Sequence, residues 1–180
     1  MGIVKEDGDG WVYRYASKGD RFVLGQEGKR PLICFGVNPS TAIPKKLDRT
    51  LSRVCGVAKD KGYDGWIMLN LYPQRATKPK NMHVKFEQGE KIFENNLDQI
   101  REILFTYRKD IVVWAAWGTS IKKRDYLGQC LKEIVNVSPL SMKWVHMGEL
   151  TKKGHPHHPL FLRKGLPFED FDIKNYIRNL

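Results

Sequence analysis

The sequence predicts an α/β fold: a three-layer α/β/α sandwich whose mainly parallel central sheet holds about four strands, with an N-terminal β-hairpin beside it. Three observations carry this expectation. Apolar runs of strand length alternate with segments of helical period. The runs are continuously apolar rather than alternating, as strands covered on both faces are. The chain has 180 residues, enough for one cored domain and short for two. Alternating β and α segments of this kind assemble through right-handed crossovers with helices on both faces of the sheet.

Taken in order, Trp11 to Tyr15 and Arg21 to Leu24 flank Ser17-Lys18-Gly19-Asp20, the composition of a short antiparallel hairpin and an accessory edge. Pro31-Leu32-Ile33-Cys34-Phe35-Gly36-Val37 reads as the first buried strand. Leu47, Leu51, Val54, Cys55 and Ala58 then recur at helical spacing until Gly62. Trp66 to Leu71 repeats the buried-strand signature, and a helix pattern runs through Ile92, Phe93, Leu97, Ile100, Leu104 and Tyr107. Ile111 to Trp117 is the third strand, Gly118-Thr119-Ser120 turns the chain, and Leu127, Leu131, Ile134 and Val135 mark a third helix. Met142 to Met147 is a fourth strand and Ile173 to Leu180 a short terminal helix. No repeat or low-complexity linker interrupts the chain. One domain is expected over residues 1–180, with the accessory hairpin in 1–28, the α/β core in 29–165 and the C-terminal helix in 166–180.

Composition narrows the function classes. A hydrophobic fraction of 41% with 28% charged residues is globular, and no apolar run is long enough to span a bilayer. A formal charge of +11 points to polyanionic partners. Residues 40–80 carry nine basic and three acidic side chains, and residues 121–165 the same numbers, so the two stretches hold +12 and the rest of the chain −1. Cys34, Cys55 and Cys130 are scattered, without metal-ligand or redox spacing, and read as buried thiols of a reducing compartment. The opening residues lack an apolar signal region, so a cytoplasmic location is expected; a monomer without membrane contact is expected as well.

In parallel sheets ligands bind beyond the carboxyl ends of the strands. Those ends hold Asn38-Pro39-Ser40-Thr41, Asn70 through Thr77, Gly118-Thr119-Ser120, and Gly154-His155-Pro156-His157-His158-Pro159-Leu160. The two basic stretches supply the same loops, which suits a phosphate backbone lying beside a pocket. Each segment also has a plainer role. Asn38-Pro39 makes a turn, and Gly118-Thr119-Ser120 caps a helix or receives an anion. Asn70, ending an apolar strand, needs hydrogen-bond partners wherever it is buried. The loop histidines lack the further ligands zinc requires, so no metal or other cofactor is expected. No nucleophile elbow surrounds Ser40 or Cys34.

Gly36-Val37-Asn38-Pro39-Ser40-Thr41-Ala42, Asp48-Arg49-Thr50, Asn70-Leu71-Tyr72-Pro73-Gln74-Arg75-Ala76-Thr77 and Pro156-His157-His158-Pro159-Leu160 together resemble the bacterial and phage domain of unknown function 1643 family, over roughly residues 13 to 165. That name implies no activity. The same order is similar, more distantly, to the uracil-DNA glycosylase superfamily: an α/β/α fold with a Gly-x-Asp/Asn-Pro loop after the first core strand, an Asn ending a later strand, and a late His-Pro loop.

The second resemblance implies roles. Asn38 would position the attacking water, Asn70 would read the polar edge of a flipped base, and a loop histidine, His158 rather than His155, would stabilise the departing base. Asp48 either replaces the carboxylate that the most active glycosylases carry where this chain has Asn38, or is a helix-terminus charge. Tyr72 is the nearest candidate for stacking on the base. Pro39, Ser40, Thr41, Arg75, Thr77, Trp117, Gly118, His155 and Pro159 complete the expected substrate contacts. Lys45, Lys46, Arg49, Lys78, Lys152, Lys153, Arg163 and Lys164 are the expected contacts to a nucleic-acid backbone.

The expectation is a glycosylase-like enzyme that binds DNA and recognises or excises a modified or damaged base from an extruded nucleotide. A base-binding module without catalysis and an enzyme acting on free nucleotides are the rival classes.

Overall fold

In the computed structural model, which describes residues 2–109 and 111–180, the four long apolar runs become the middle of a wider sheet. The strands are β1 (Val4–Lys5), β2 (Trp11–Tyr15), β3 (Val23–Gln26), β4 (Pro31–Gly36), β5 (Gly65–Asn70), β6 (Val112–Ala115), β7 (Lys143–Met147) and β8 (Phe168–Asp170). The α-helices are α1 (Arg49–Asp60), α2 (Glu90–Thr106), α3 (Leu127–Asn136) and α4 (Ile173–Arg178). All eight strands join one sheet in the order β1-β2-β3-β5-β4-β6-β7-β8.

This corrects the expected architecture. The sheet is mixed and mostly antiparallel, not the mainly parallel sheet of about four strands of the expected three-layer sandwich: β4 runs parallel to β5 and β6, and β6 to β7, while β1/β2, β2/β3, β3/β5 and β7/β8 are antiparallel. Nor is the N-terminal hairpin an accessory, because β3 pairs with β5 through Leu24↔Met68, Gly25↔Ile67 and Gln26↔Trp66 and so continues the sheet. The physical reason is that an antiparallel strand covered on both faces is as continuously apolar as a parallel one. Val23 and Leu24 are fully buried, and nothing in such a run states its direction. β1 and β8, with two and three residues, are too short to carry a period.

Within the sheet the side chains alternate between two cores, as the two-residue period of a strand requires. Ile33 and Phe35 of β4 pack with Phe93, Ile100 and Leu104 of α2 and Leu131 and Ile134 of α3. Leu32 and Cys34 face the other way, into a cluster with Leu51, Val54 and Ala58 of α1. Each fully buried side chain of this size contributes roughly 1.5–3 kcal/mol, so the two clusters dominate the stability of the fold. Helix α1 begins where the Asp48 carboxylate accepts the backbone N–H of Leu51 at 2.9 Å, and ends at Lys61 before Gly62, whose φ of 75° suits glycine.

The connectivity creates a crevice. From β4 the chain crosses through α1 to β5 on one side, then through α2 to β6 on the other side of β4. Loops leaving neighbouring strand ends in opposite directions open a gap beyond their carboxyl ends. Gly36 and Asn70, the last residues of β4 and β5, are register partners at that point.

Candidate functional site

A cavity of about 710 Å³ occupies this gap, within the range of small-molecule sites. Its walls include Gly36, Asn38, Ser40 and Thr41 after β4, the start of α1 at Asp48, Arg49 and Thr50, and Asn70, Ala76 and Thr77 after β5. Trp117 to Ser120 after β6 and Thr151, His157, His158, Leu160 and Phe161 close it. All four strand-end segments singled out in the sequence therefore meet in one place.

Asn70 has no solvent-exposed surface, and neither its Nδ2 nor its Oδ1 has a hydrogen-bond partner. Its backbone carbonyl, by contrast, accepts from the Asn96 amide of α2 at 3.0 Å. The side chain reaches the cavity because its register partner is glycine. A Cβ on Gly36 would stand 3.3 Å from Asn70 Oδ1 and 2.6 Å from Met68 Cε, and would fill the space in front of the amide.

The Asn38 amide nitrogen donates to the carbonyls of Ala76 at 2.8 Å, Pro39 at 3.0 Å and Gln74 at 3.4 Å. It thereby ties the loop after β4 to the loop after β5 and fixes the orientation of the amide. Only Oδ1 is not engaged in these bonds. Asp48 lines the cavity but spends one oxygen on capping α1, so its helix-terminus role is the one seen.

His158 accepts the backbone N–H of Leu160 on Nδ1 at 3.3 Å, which places the ring proton on Nε2. Burial lowers its pKa and Asp48 raises it back in part, so the neutral imidazole, a donor through Nε2, is the form at neutral pH. Gly118 makes room for it. That residue has φ +62° and its Cβ, if present, would lie 3.3 Å from the Cβ of His158.

Other expected contacts lie outside the cavity. His155 is buried in a separate depression, its Nδ1 2.7 Å from the Tyr176 hydroxyl. Tyr176 in turn accepts from Trp117 Nε1 at 3.1 Å, and burial pushes its hydroxyl up to about 12. Tyr72 is fully buried, bonded to His83 Nδ1 at 2.7 Å and packed on Tyr126. It has no free face for a ligand. Arg75 is a bracket that donates to Ser40 O, Ala42 O, Asp20 O and the Tyr13 hydroxyl. Pro39, in the loop after β4, and Pro159, which opens a one-turn 3-10 helix, are buried.

Of the expected backbone contacts only Arg49 lines the cavity. Lys46, Lys78, Lys152, Lys153, Arg163 and Lys164 are exposed, and Lys45 sits 3.7 Å from Asp9. Lys78 and Lys152 directly follow the lining residues Thr77 and Thr151. Among the described residues no three His, Cys, Asp or Glu side chains converge as a metal would require. Cys34 and Cys130 are buried, Cys55 is half-buried, and all three are free thiols outside any disulfide. Burial pushes the Cys34 and Cys130 thiols well above the usual range. No helix among the described residues is long and apolar enough to cross a membrane.

Sequence reasoning missed Arg21. It is 2% exposed, lines the cavity, and donates through Nη1 to the Ala42 carbonyl at 3.0 Å, while its buried Nε has no partner. Burial brings its pKa down to about 9, helped by Arg75 and opposed by Asp48. Its position before Phe22-Val23-Leu24 marks a strand entry, and only the fold turns it inward.

No curated protein and no solved structure matches the chain. The family model described as Protein of unknown function (DUF1643) matches residues 21–160, which takes in every residue that walls the cavity except Phe161, and the chain belongs to that family.

Proposed function

We propose that the cavity receives a nucleobase extruded from DNA and acts on the bond that joins it to the sugar. The observation that carries this reading is Asn70, a fully buried amide with both polar atoms unpartnered on the cavity wall. Leaving such groups unbonded costs about 1–3 kcal/mol each. A ligand that offers an acceptor and a donor side by side removes that cost, and the polar edge of a base does so.

The remaining groups fit the chemistry of excision. Nε2–H of His158 can donate to a base leaving as an anion, and Asn38 Oδ1 can accept from an attacking water. Phe161, 80% exposed at the mouth, can hold the gap left by an extruded nucleotide. The order of the motifs is similar to that of the uracil-DNA glycosylase superfamily, a distant likeness in sequence alone that supports the same reading. The net charge of +11 favours a polyanionic substrate.

The test is release of free base, followed by chromatography, from oligonucleotides carrying uracil, mismatched or modified pyrimidines. Activity on at least one substrate is expected, with loss in Asn70→Ala and His158→Ala. No release from any member of the panel would overturn the excision step.

One observation favours a second reading, base binding without excision. Asp48 is the only acidic residue among the described residues lining the cavity, and the bond that commits one of its oxygens to the α1 cap weakens it as a general base. That reading expects salt-dependent binding of the oligonucleotides, weakened by Asn70→Ala, with no product.

A further inference from the structure

We propose that Arg21 anchors a phosphate subsite in the wall of the same cavity. The inference rests on the base-binding reading for the identity of the whole ligand, but the anion can be tested alone.

Arg21 is a guanidinium at 2% exposure whose bonded partner is a neutral carbonyl. Among the described residues no carboxylate lies within 4.0 Å of it. The neighbouring Asp20 carboxylate is already committed to the Ser17 hydroxyl and the backbone N–H groups of Ala16 and Ser17. The largest charge influence after burial is another cation, Arg75, with Asp48 opposing it more weakly. Arg75 is already engaged, with four of its five N–H donors given to three carbonyls and a tyrosine hydroxyl.

A buried, protonated, unpaired guanidinium is costly, and folds keep one where an anion arrives to pair with it. The planar fork of an arginine matches phosphate oxygens better than any other side chain. Donors of the right kind line the same cavity in the hydroxyls of Ser40, Thr41 and Thr50, while the start of α1 is already capped by the Asp48 carboxylate. Asn70 lies in the same cavity, so one ligand can present a base edge to the amide and a phosphate to Arg21. The ligand class is therefore a nucleotide, either a free 5′-monophosphate or a unit of a nucleic-acid strand.

The experiment measures thermal midpoints and calorimetric binding of the full chain with inorganic phosphate, thymidine, thymidine 5′-monophosphate and an oligothymidylate, all at matched ionic strength. Phosphate is expected to raise the midpoint of the wild type. The monophosphate is expected to bind at least about tenfold more tightly than the nucleoside, the effect of one charge-assisted bond. Arg21→Met should abolish both effects and Arg21→Lys should retain part of them, which keeps the test decisive if the methionine variant folds poorly.

Displacement of phosphate by the oligonucleotide but not by the monophosphate identifies the strand as its source, and the reverse identifies a free nucleotide. Asn70→Ala should keep the phosphate effect while weakening the binding of thymidine, so failure of the base-binding reading is distinguishable. A wild type indifferent to phosphate, or an Arg21→Met variant that responds like the wild type, overturns the subsite.

Discussion

The side-chain amide of Asn96 on α2 donates to the backbone carbonyl of Asn70 at 3.0 Å, tying a helix of one core to the strand end on the cavity wall. Both residues are fully buried. Asn96→Leu would leave that carbonyl without its donor, and should lower unfolding free energy by about 1–3 kcal/mol. Urea denaturation measures it. Because the Asn70 amide depends on where its backbone sits, the same variant should also weaken base binding.

Gly118→Ala is expected to be worse than its size implies. The residue holds φ +62°, which costs a non-glycine residue roughly 1–2 kcal/mol, and the new methyl would press on His158. A modest loss of thermal stability should accompany a larger loss of ligand affinity. Ser120→Ala, a nearby change without backbone strain, should leave stability within about 0.5 kcal/mol of the wild type.

Arg21→Met makes the opposite prediction. In the absence of ligand it removes an uncompensated buried cation, and the Ala42 carbonyl keeps Arg75 Nη1 as a donor at 3.3 Å. The variant should be as stable as the wild type or more so, by up to ~4 kcal/mol. The pH dependence has a matching sign. With a folded pKa of about 9 against an ordinary value of 12.5, the unfolded chain binds more protons between them, so wild-type stability gains a positive contribution as pH passes 9. The difference between wild type and Arg21→Met in denaturation curves from pH 8 to 10 isolates that slope.

Acid should destabilise the protein from the ordinary imidazole range downward. His83, His155 and His158 all have lowered pKa values, with burial the leading cause in each. The unfolded chain therefore takes up protons that the folded chain resists, and stability falls as pH drops below about 6.5. Thermal midpoints at pH 8, 7, 6 and 5 give the trend. His158→Gln should flatten part of it, because protonation at Nδ1 also breaks the bond from Leu160 N–H.

The parts legible in sequence are those in which a local pattern carries the whole message. The runs at 31–37, 66–71, 111–117 and 142–147 formed strands, and Leu51, Val54 and Ala58 did face a core from a helix. Asn38, Asn70, Gly118 and His158 do meet around one cavity. Strand direction was not legible, since Val23 and Leu24 would be equally apolar either way round. Arg21 looked like a polar strand entry because its burial depends on the loop at Ser40 to Ala42, which is distant in sequence. Tyr72 and His155 sit beside cavity-forming segments, yet their rings turn into hydroxyl–imidazole pairs that no spacing announces.

The cavity draws its walls from positions as far apart as Arg21 and Phe161, and none of its four loops is complete without the strand pairings that precede it. Such non-local pairings form late in folding and slowly. During synthesis, a nascent chain cannot complete the cavity walls until Phe161 has left the ribosome. A protein built this way is protected from engaging its ligand half-made.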